Sequence, residues 1–238
     1  MIRLDRLLVE KGLVESREKA QALIMSGDVL IAGQKARKSG QPVPEDSAIQ
    51  LLARPAFVGR GGLKLAAALV HFAIDIKGGT ALDIGSSTGG FTDCLLQAGA
   101  ARVHAVDVGR GQLDWKLRND PRVVVHEGIN ARHLRFENIG EMADLVVCDV
   151  SFISVTLILP AIVPLARSEM VILVKPQFEV GKGQVGKGGI VRDAALHRSA
   201  CERVDQTVKE FGFTTDIMDS PILGAEGNKE FLLHARRG

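Results

Sequence analysis

The chain of 238 residues is poor in several things at once. It has no tyrosine, one tryptophan and an aromatic content of 4%. A surface that grips single-stranded nucleic acid mainly by base stacking is therefore not expected. Only three cysteines occur, Cys94, Cys148 and Cys201. They are far apart and odd in number, with no CxxC or Cys/His ligand spacing, so neither a disulfide framework nor a structural zinc site is expected. The bland reading is three buried, reduced thiols in a cytoplasmic protein. The six histidines show no paired spacing either, and no metal is expected. Net charge is only +2, so any nucleic-acid surface must come from local clustering. No basic segment followed by an apolar core opens the chain, so no signal peptide is expected. The longest apolar stretch, residues 155–166, is broken by Pro160 and Pro164. It falls short of the ~20 residues that span a bilayer, and stable membrane association is not expected.

What is present is an ordinary globular balance, 46% hydrophobic and 24% charged, arranged in two parts. In the first 53 residues, Leu4, Leu7 and Leu8 share a helical face stopped at Gly12. Ser16 suits the cap of a second helix that carries Ala20, Leu23 and Ile24 and ends at Gly27. Short strands follow at 29–31 and 49–52, separated by a turn at Gly33 and a polar stretch over 35–40. Residues 54–59 read as a linker, because Pro55 biases Arg54 away from helix. From residue 60 to 238 a helix beginning near Leu63 precedes alternating strands and helices. Strands are predicted at 80–84, 102–107, 122–126, 144–149 and 170–175, with a helix over 89–98. Such alternation implies a mostly parallel sheet covered on both faces. Two late strands, 214–219 and 229–236, suggest an antiparallel pair at one edge. This α/β arrangement, a mostly parallel seven-stranded Rossmann-like sheet with a terminal antiparallel hairpin, is the usual one for methyltransferases that use S-adenosylmethionine (SAM). The first domain would be a small α+β unit.

The segment Asp83-Ile84-Gly85-Ser86-Ser87-Thr88-Gly89-Gly90-Phe91-Thr92 carries the most chemistry. A strand ends in an acid, small residues follow, and a helix begins near Gly89. Small residues allow close backbone approach to a ligand, and a helix N-terminus offers free N–H groups. The glycine spacing is not GxGxxG. An acid ahead of the first glycine suits the ammonium of SAM, and Asp107, at the end of the next strand, suits two ribose hydroxyls. Asn130, after the third strand, is a candidate adenine contact. Asp83, Gly85, Ser87, Thr88, Gly89, Gly90, Phe91, Asp107, Asn130 and Asp149 are thus the expected cofactor residues.

Two further strands end in charge, Val146-Val147-Cys148-Asp149 and Val171-Ile172-Leu173-Val174-Lys175. Amine and nucleobase methyltransferases often carry Asn/Asp-Pro-Pro-aromatic after the fourth strand. Here it is Asp149-Val150-Ser151-Phe152, and a lysine after the fifth strand suits a hydroxyl nucleophile. A ribose 2′-hydroxyl must lose its proton; a neutral lysine amine could take it, but free lysine has a pKa of about 10.4. Burial and a nearby cation lower such a value, while carboxylates oppose the shift. Lys64 is a candidate for the cation and Glu230 for the carboxylate that orients Lys175.

Five segments together resemble the TlyA, hemolysin-A-like, family: Arg60-Gly61-Gly62-Leu63-Lys64-Leu65, Asp83 to Asp93, Cys148 to Phe152, Lys175-Pro176-Gln177-Phe178 and Gly227-Asn228-Lys229-Glu230-Phe231. The resemblance runs over nearly the whole chain. It implies an S-four-type RNA-binding domain over 1–53 and an FtsJ-like methyltransferase domain over 60–238. It implies 2′-O-methylation of ribosomal RNA, free or in ribosomal subunits rather than of DNA, by a tetrad of Lys64, Asp149, Lys175 and Glu230. The wider methyltransferase motif often has glycine where this chain has Ser87.

Residues 1–40 hold eight basic side chains against five acidic, a modest excess that suits phosphate contacts. Arg3, Arg17 and Lys19 are the expected RNA contacts there. The glycine-rich run 181–189, with Lys182 and Lys187, is expected to be a mobile basic loop closing over RNA. The competing readings are a non-catalytic RNA-binding or assembly factor, which would need no SAM site, and a membrane-active lytic protein.

Overall fold

The computed structural model describes residues 1–52, 56–224 and 227–237, without the side chain of Lys182. The chain divides into two units, Met1–Pro55 and Ala56–Gly238. Of the expected linker, residues 54 and 55 lie outside the described residues.

In the first unit the leucines at helical spacing put α1 (Leu4–Glu10) against α2 (Arg17–Met25). Leu4, Leu7, Leu8, Ala20, Ile24 and Val29 form its core. Ser16 starts α2, its Oγ accepting from the Lys19 N–H at 3.2 Å, which satisfies one orphan donor of the helix. The strands are β1 (Ile2–Arg3), β2 (Val29–Ile31), β3 (Gln34–Lys35), β4 (Pro42–Val43) and β5 (Ile49–Leu51). They form a β3-β2-β5 sheet and a β1-β4 pair. Ala32 and Gly33, at φ +48° and +80°, make the two-residue turn between β2 and β3, where positive φ matches the strand twist. The stretch expected to be only polar loop thus contributes to β3 and is followed by β4. Two-residue strands are too short to leave an alternation in sequence.

The second unit begins with α3 (Gly61–His71). It then alternates through β6 (Thr80–Ile84), α4 (Gly90–Gln97), β7 (Arg102–Asp107), α5 (Trp115–Arg118), β8 (Val123–Glu127), α6 (Phe136–Ile139) and β9 (Ala143–Cys148). Next come α7 (Leu159–Ile162), β10 (Ala166–Val174), α8 (Pro176–Glu179), α9 (Ala194–Glu210), β11 (Thr214–Asp219) and β12 (Phe231–Arg236). The seven strands lie in the order β11-β12-β10-β9-β6-β7-β8. The β8-β7-β6-β9-β10 run is parallel, and β12 is antiparallel to both β10 and β11. The late hairpin is present, but only β11 holds the edge; β12 is inserted and paired on both sides.

Both sheet faces are buried, which is why the strands read as continuous apolar runs. In β10, Met170, Ile172 and Val174 join the core layer of α9, while Val171 and Leu173 join the layer of α3 and α4. The apolar stretch 155–166 folds as short turns around α7. No helix among the described residues is long and apolar enough to cross a membrane. Cys94, Cys148 and Cys201 are free and buried, and burial pushes the thiols of Cys94 and Cys201 up to about 12. Because the five parallel strands point the same way, the residues after each carboxyl end gather on one rim.

Candidate active site

The loop after β6 turns sharply because two positions lack a side chain. Gly85 sits at φ +83°, and a Cβ there would lie 2.3 Å from the Asp149 carbonyl oxygen. Gly89 sits at φ +98°, with a Cβ position 2.2 Å from Leu117 Cδ1. Between them Ser87 holds φ +48°, a left-handed conformation that costs a residue with a Cβ. Its backbone N–H donates to Asp107 Oδ2 at 2.8 Å, and the Gly109 N–H donates to Asp107 Oδ1 at 2.7 Å. The carboxylate at the end of β7 is therefore fixed by two loops and retains free lone pairs.

Two cavities share this loop. One of ≈ 470 Å³ is lined by Gly85, Ser87, Asp107, Asn130 and Asp149, together with Gln112, Ile129 and Phe152. The other, ≈ 180 Å³, is lined by Arg60, Gly85, Ser87, Thr88, Gly90, Phe91 and Asp149. Among the described residues, its charged lining is one cation, Arg60, and one carboxylate, Asp149. Asn130 starts the turn Ala131–His133, its Oδ1 accepting from the Arg132 N–H at 3.0 Å. Two expected cofactor residues line neither cavity. Gly89 packs against α5. Asp83 is the penultimate residue of β6, fully buried, and accepts from Thr92 Oγ1 at 2.6 Å. Burial pushes its carboxyl up to about 7. Its contribution is to the loop from beneath, through the first turn of α4.

Lys175, at the end of β10, lines a third cavity of ≈ 410 Å³ together with Lys64, Glu230, Ser151, Phe152 and Phe178 among others. Since β9 and β10 are parallel neighbours, Asp149 and Lys175 leave the sheet side by side. Lys175 Nζ lies 2.6 Å from Asp149 Oδ1 and donates to Ser151 Oγ at 2.8 Å. Lys64, from α3, donates to Glu230 Oε2 at 2.5 Å, just before β12. Lys64, Lys175 and Glu230 are 7%, 9% and 2% exposed, so both lysines are withdrawn from solvent apart from this cavity. The expectation that Glu230 orients Lys175 needs correcting: Glu230 holds Lys64, and Asp149 holds Lys175. Asp149 lines both cofactor-side cavities, so one carboxylate joins them to the lysine.

Several residues around this arrangement are given no role by the sequence, although Phe152 and Asn228 lie within its motif segments. Phe152 lines the largest cofactor-side cavity and the lysine cavity. It is 92% exposed at φ +69°, with its ring 5.5 Å from that of Phe178. Glu179 is buried, and burial raises its carboxyl. It accepts from Ser154 Oγ at 2.6 Å and the Val155 N–H at 2.8 Å, tying the segment after Asp149 to the helix after Lys175. Asn228 accepts from the Val191 N–H at 3.0 Å and donates to the Gly189 carbonyl at 2.9 Å. The glycine-rich segment is thereby fastened at its far end, and its Val185 and Gly189 line the lysine cavity. Lys187 is exposed there; the Lys182 side chain lies outside the described residues. In the first unit Arg3 and Arg17 both bond to Asp5, whereas Lys19 pairs with Glu15 on its own helix.

Comparison with known proteins shows the family of both units. The family model of FtsJ-like methyltransferases matches residues 57–237, and that of the S4 domain matches residues 2–49. The 16S/23S rRNA (cytidine-2′-O)-methyltransferase TlyA of Mycobacterium tuberculosis is 48% identical, the match covering 98% of this chain and 89% of that protein. Hemolysin A of Brachyspira hyodysenteriae is 43% identical over 98% and 99% of the two chains. A solved structure from Streptococcus thermophilus is 41% identical with a TM-score of 0.75, covering 99% of this chain and 88% of that one.

Proposed function

The chain belongs to the TlyA family of FtsJ-like methyltransferases, and we propose that it transfers a methyl group from SAM to the ribose 2′-hydroxyl of a nucleotide in ribosomal RNA. The carrying observation is a cavity lined by the buried Lys64–Glu230 pair and by Lys175, whose partner Asp149 lines two further cavities on the cofactor side. The residues present suit SAM. Asp107 offers a fixed carboxylate for ribose hydroxyls. The smaller cavity offers one cation and one anion to an amino-acid zwitterion, and the absent Cβ of Gly85 keeps the loop floor low. Asp107 and Asn130 would hold the nucleoside end, and Arg60, Thr88 and Asp149 the methionine end. When bound, SAM supplies a methyl group already activated by its sulfonium charge.

The chain's own residues then position the hydroxyl and accept its proton. Lys175, in its neutral form, takes the 2′-hydroxyl proton, and Asp149 and Ser151 hold the ammonium that results. Lys64, balanced by Glu230, keeps a second cation on the cavity wall without leaving an uncompensated charge. Phe152 offers an exposed ring face beside the cavity mouth, where an unstacked base can lie. Arg3 and Arg17 on the first unit, and Lys182 and Lys187 on the glycine-rich segment, serve as phosphate contacts. This work belongs where ribosomes are made, in the cytoplasm.

The test is transfer of labelled methyl from SAM to bacterial ribosomal RNA and to assembled subunits, by wild type and Lys175→Ala. Label is expected on a ribose, and the variant should lose about 10²–10⁴-fold in rate while still binding SAM. Label on a base, or a variant within tenfold of wild type, would overturn the assignment.

A further inference from the structure

Asp5 lies in the first turn of α1 with its side chain at 0% exposure. Four donors converge on it. Arg3 donates through Nε to Oδ1 at 3.0 Å and through NH2 to Oδ2 at 2.8 Å. Arg17 NH2 and Gln21 Nε2 donate to the same Oδ2 at 3.1 and 3.0 Å. Neutralising a buried carboxylate needs one cation, and the Arg3 fork with Gln21 already supplies it. The second guanidinium leaves a net positive charge. Both arginines keep their outer surfaces open, at 53% and 54% exposure. Arg3 spends two of its five donor hydrogens on Asp5 and Arg17 one.

We propose that Arg3 and Arg17 form a preassembled clamp for one RNA phosphate, and that Asp5 is the positioning residue that holds the two guanidiniums side by side. This rests on the RNA-binding reading above and deepens it. A phosphate accepts from two forks at once only if both are in place, and holding them there beforehand removes the ordering cost from binding. Other features serve the same placement. The Ser16 cap starts α2 so that Arg17 and Gln21, four apart, face the same carboxylate. At Gly40 a Cβ would lie 3.1 Å from Arg3 NH1, so the missing side chain leaves room for the fork. The Asp5 carboxyl is held well below the usual range, first by its hydrogen bond from Arg3, and stays charged at any pH where RNA is bound.

The proposal opposes what charge alone dictates. Asp5→Asn removes a negative charge, so simple electrostatics makes RNA binding tighter; loss of a positioning residue makes it weaker. The experiment measures affinity of the full chain for bacterial ribosomal RNA across a potassium chloride series, for wild type, Asp5→Asn, Arg3→Lys and Arg17→Lys. Folding is checked by circular dichroism. Asp5→Asn is expected to bind roughly tenfold more weakly, with the salt slope reduced by about one. The lysine variants keep the charge but lose the fork, and are also expected to bind several-fold more weakly. A folded Asp5→Asn that binds as well as wild type or better overturns the clamp. Should Asp5→Asn not fold, unchanged affinity in both lysine variants overturns it. Wild type showing no salt-dependent RNA binding would instead sink the RNA-binding reading on which the clamp rests.

Discussion

The two units use the same ingredients, lysine or arginine against a carboxylate, with opposite burial. In the first unit the carboxylate of Asp5 is buried and its arginines reach solvent. On the rim of the second, Lys64 and Glu230 are both buried, and Lys175 is nearly so beside a partly exposed Asp149. The difference separates two uses of a cation. A guanidinium kept at the surface stays charged and offers spare donors to a phosphate. An amine withdrawn from water, held by fixed acceptors beside one cavity, is suited to exchange a proton. In the roles proposed, burial and residue type together divide recognition from chemistry.

Removing one partner from each ion pair tests this contrast most strongly. Glu230→Gln leaves the Lys64 ammonium buried without compensation and should cost the second unit about 3–5 kcal/mol. Arg17→Ala removes one of several donors to Asp5 from a half-exposed side chain, and should cost about 0–1 kcal/mol. Denaturant midpoints of the two variants read the contrast directly. Equal losses would mean that the lysine pair is no more isolated from water than the arginine cluster.

The next effect sets the two buried aspartates against each other. Asp83, raised by burial to about 7 from 3.8, keeps a proton in the folded state that the unfolded chain releases. Its contribution to stability is greatest below pH 3.8, falls as pH climbs toward 7, and then stays level. Asp5 is shifted the other way, so its contribution is present above 3.8 and is lost as pH falls through its lowered value. Asp83→Asn should therefore abolish a fall of up to roughly 4 kcal/mol between acid and neutral pH in the second unit. Asp5→Asn should leave that slope intact. Hydrogen exchange in the core strands of each unit, measured across pH, separates the two; a wild-type second unit with no such slope would refute the Asp83 assignment.

How much of this was legible in the sequence depends on range. Apolar runs that end in one charged residue placed Asp149 and Lys175 on the rim, because a strand buried on both faces admits charge only at its ends. Which carboxylate holds which lysine was not legible, since Lys64 and Glu230 are 166 residues apart and meet only through the insertion of β12. Asp83 is legible as an acid at the carboxyl end of a strand, but not in its facing: it precedes Ile84, the last residue of β6, and one residue along a strand is the difference between the two faces. Phe152 lies within a motif segment, but its exposure follows from a left-handed backbone at φ +69° that its residue type does not signal.

The smallest expected effect compares backbone rather than charge. Ala32 in the first unit and Ser87 in the second both sit at φ +48°, so each carries the steric cost of a Cβ in the left-handed region, about 1 kcal/mol. Glycine relieves that cost but restores freedom to the unfolded chain, worth roughly 0.4–1 kcal/mol in the other direction. Ala32→Gly and Ser87→Gly should thus shift stability by similar, small amounts, within about 0.5 kcal/mol of wild type. They should part company in SAM affinity. Ala32 makes a hairpin turn remote in sequence from any of the three cavities, and its replacement should leave calorimetric SAM binding unchanged. The Ser87 N–H orients Asp107, and Ser87 lines both cofactor-side cavities. A glycine there loosens the loop that fixes the carboxylate, and SAM should bind a few-fold more weakly because that loop must be ordered on binding. If both variants bind SAM alike, the serine backbone is a tolerated strain and not part of the cofactor site.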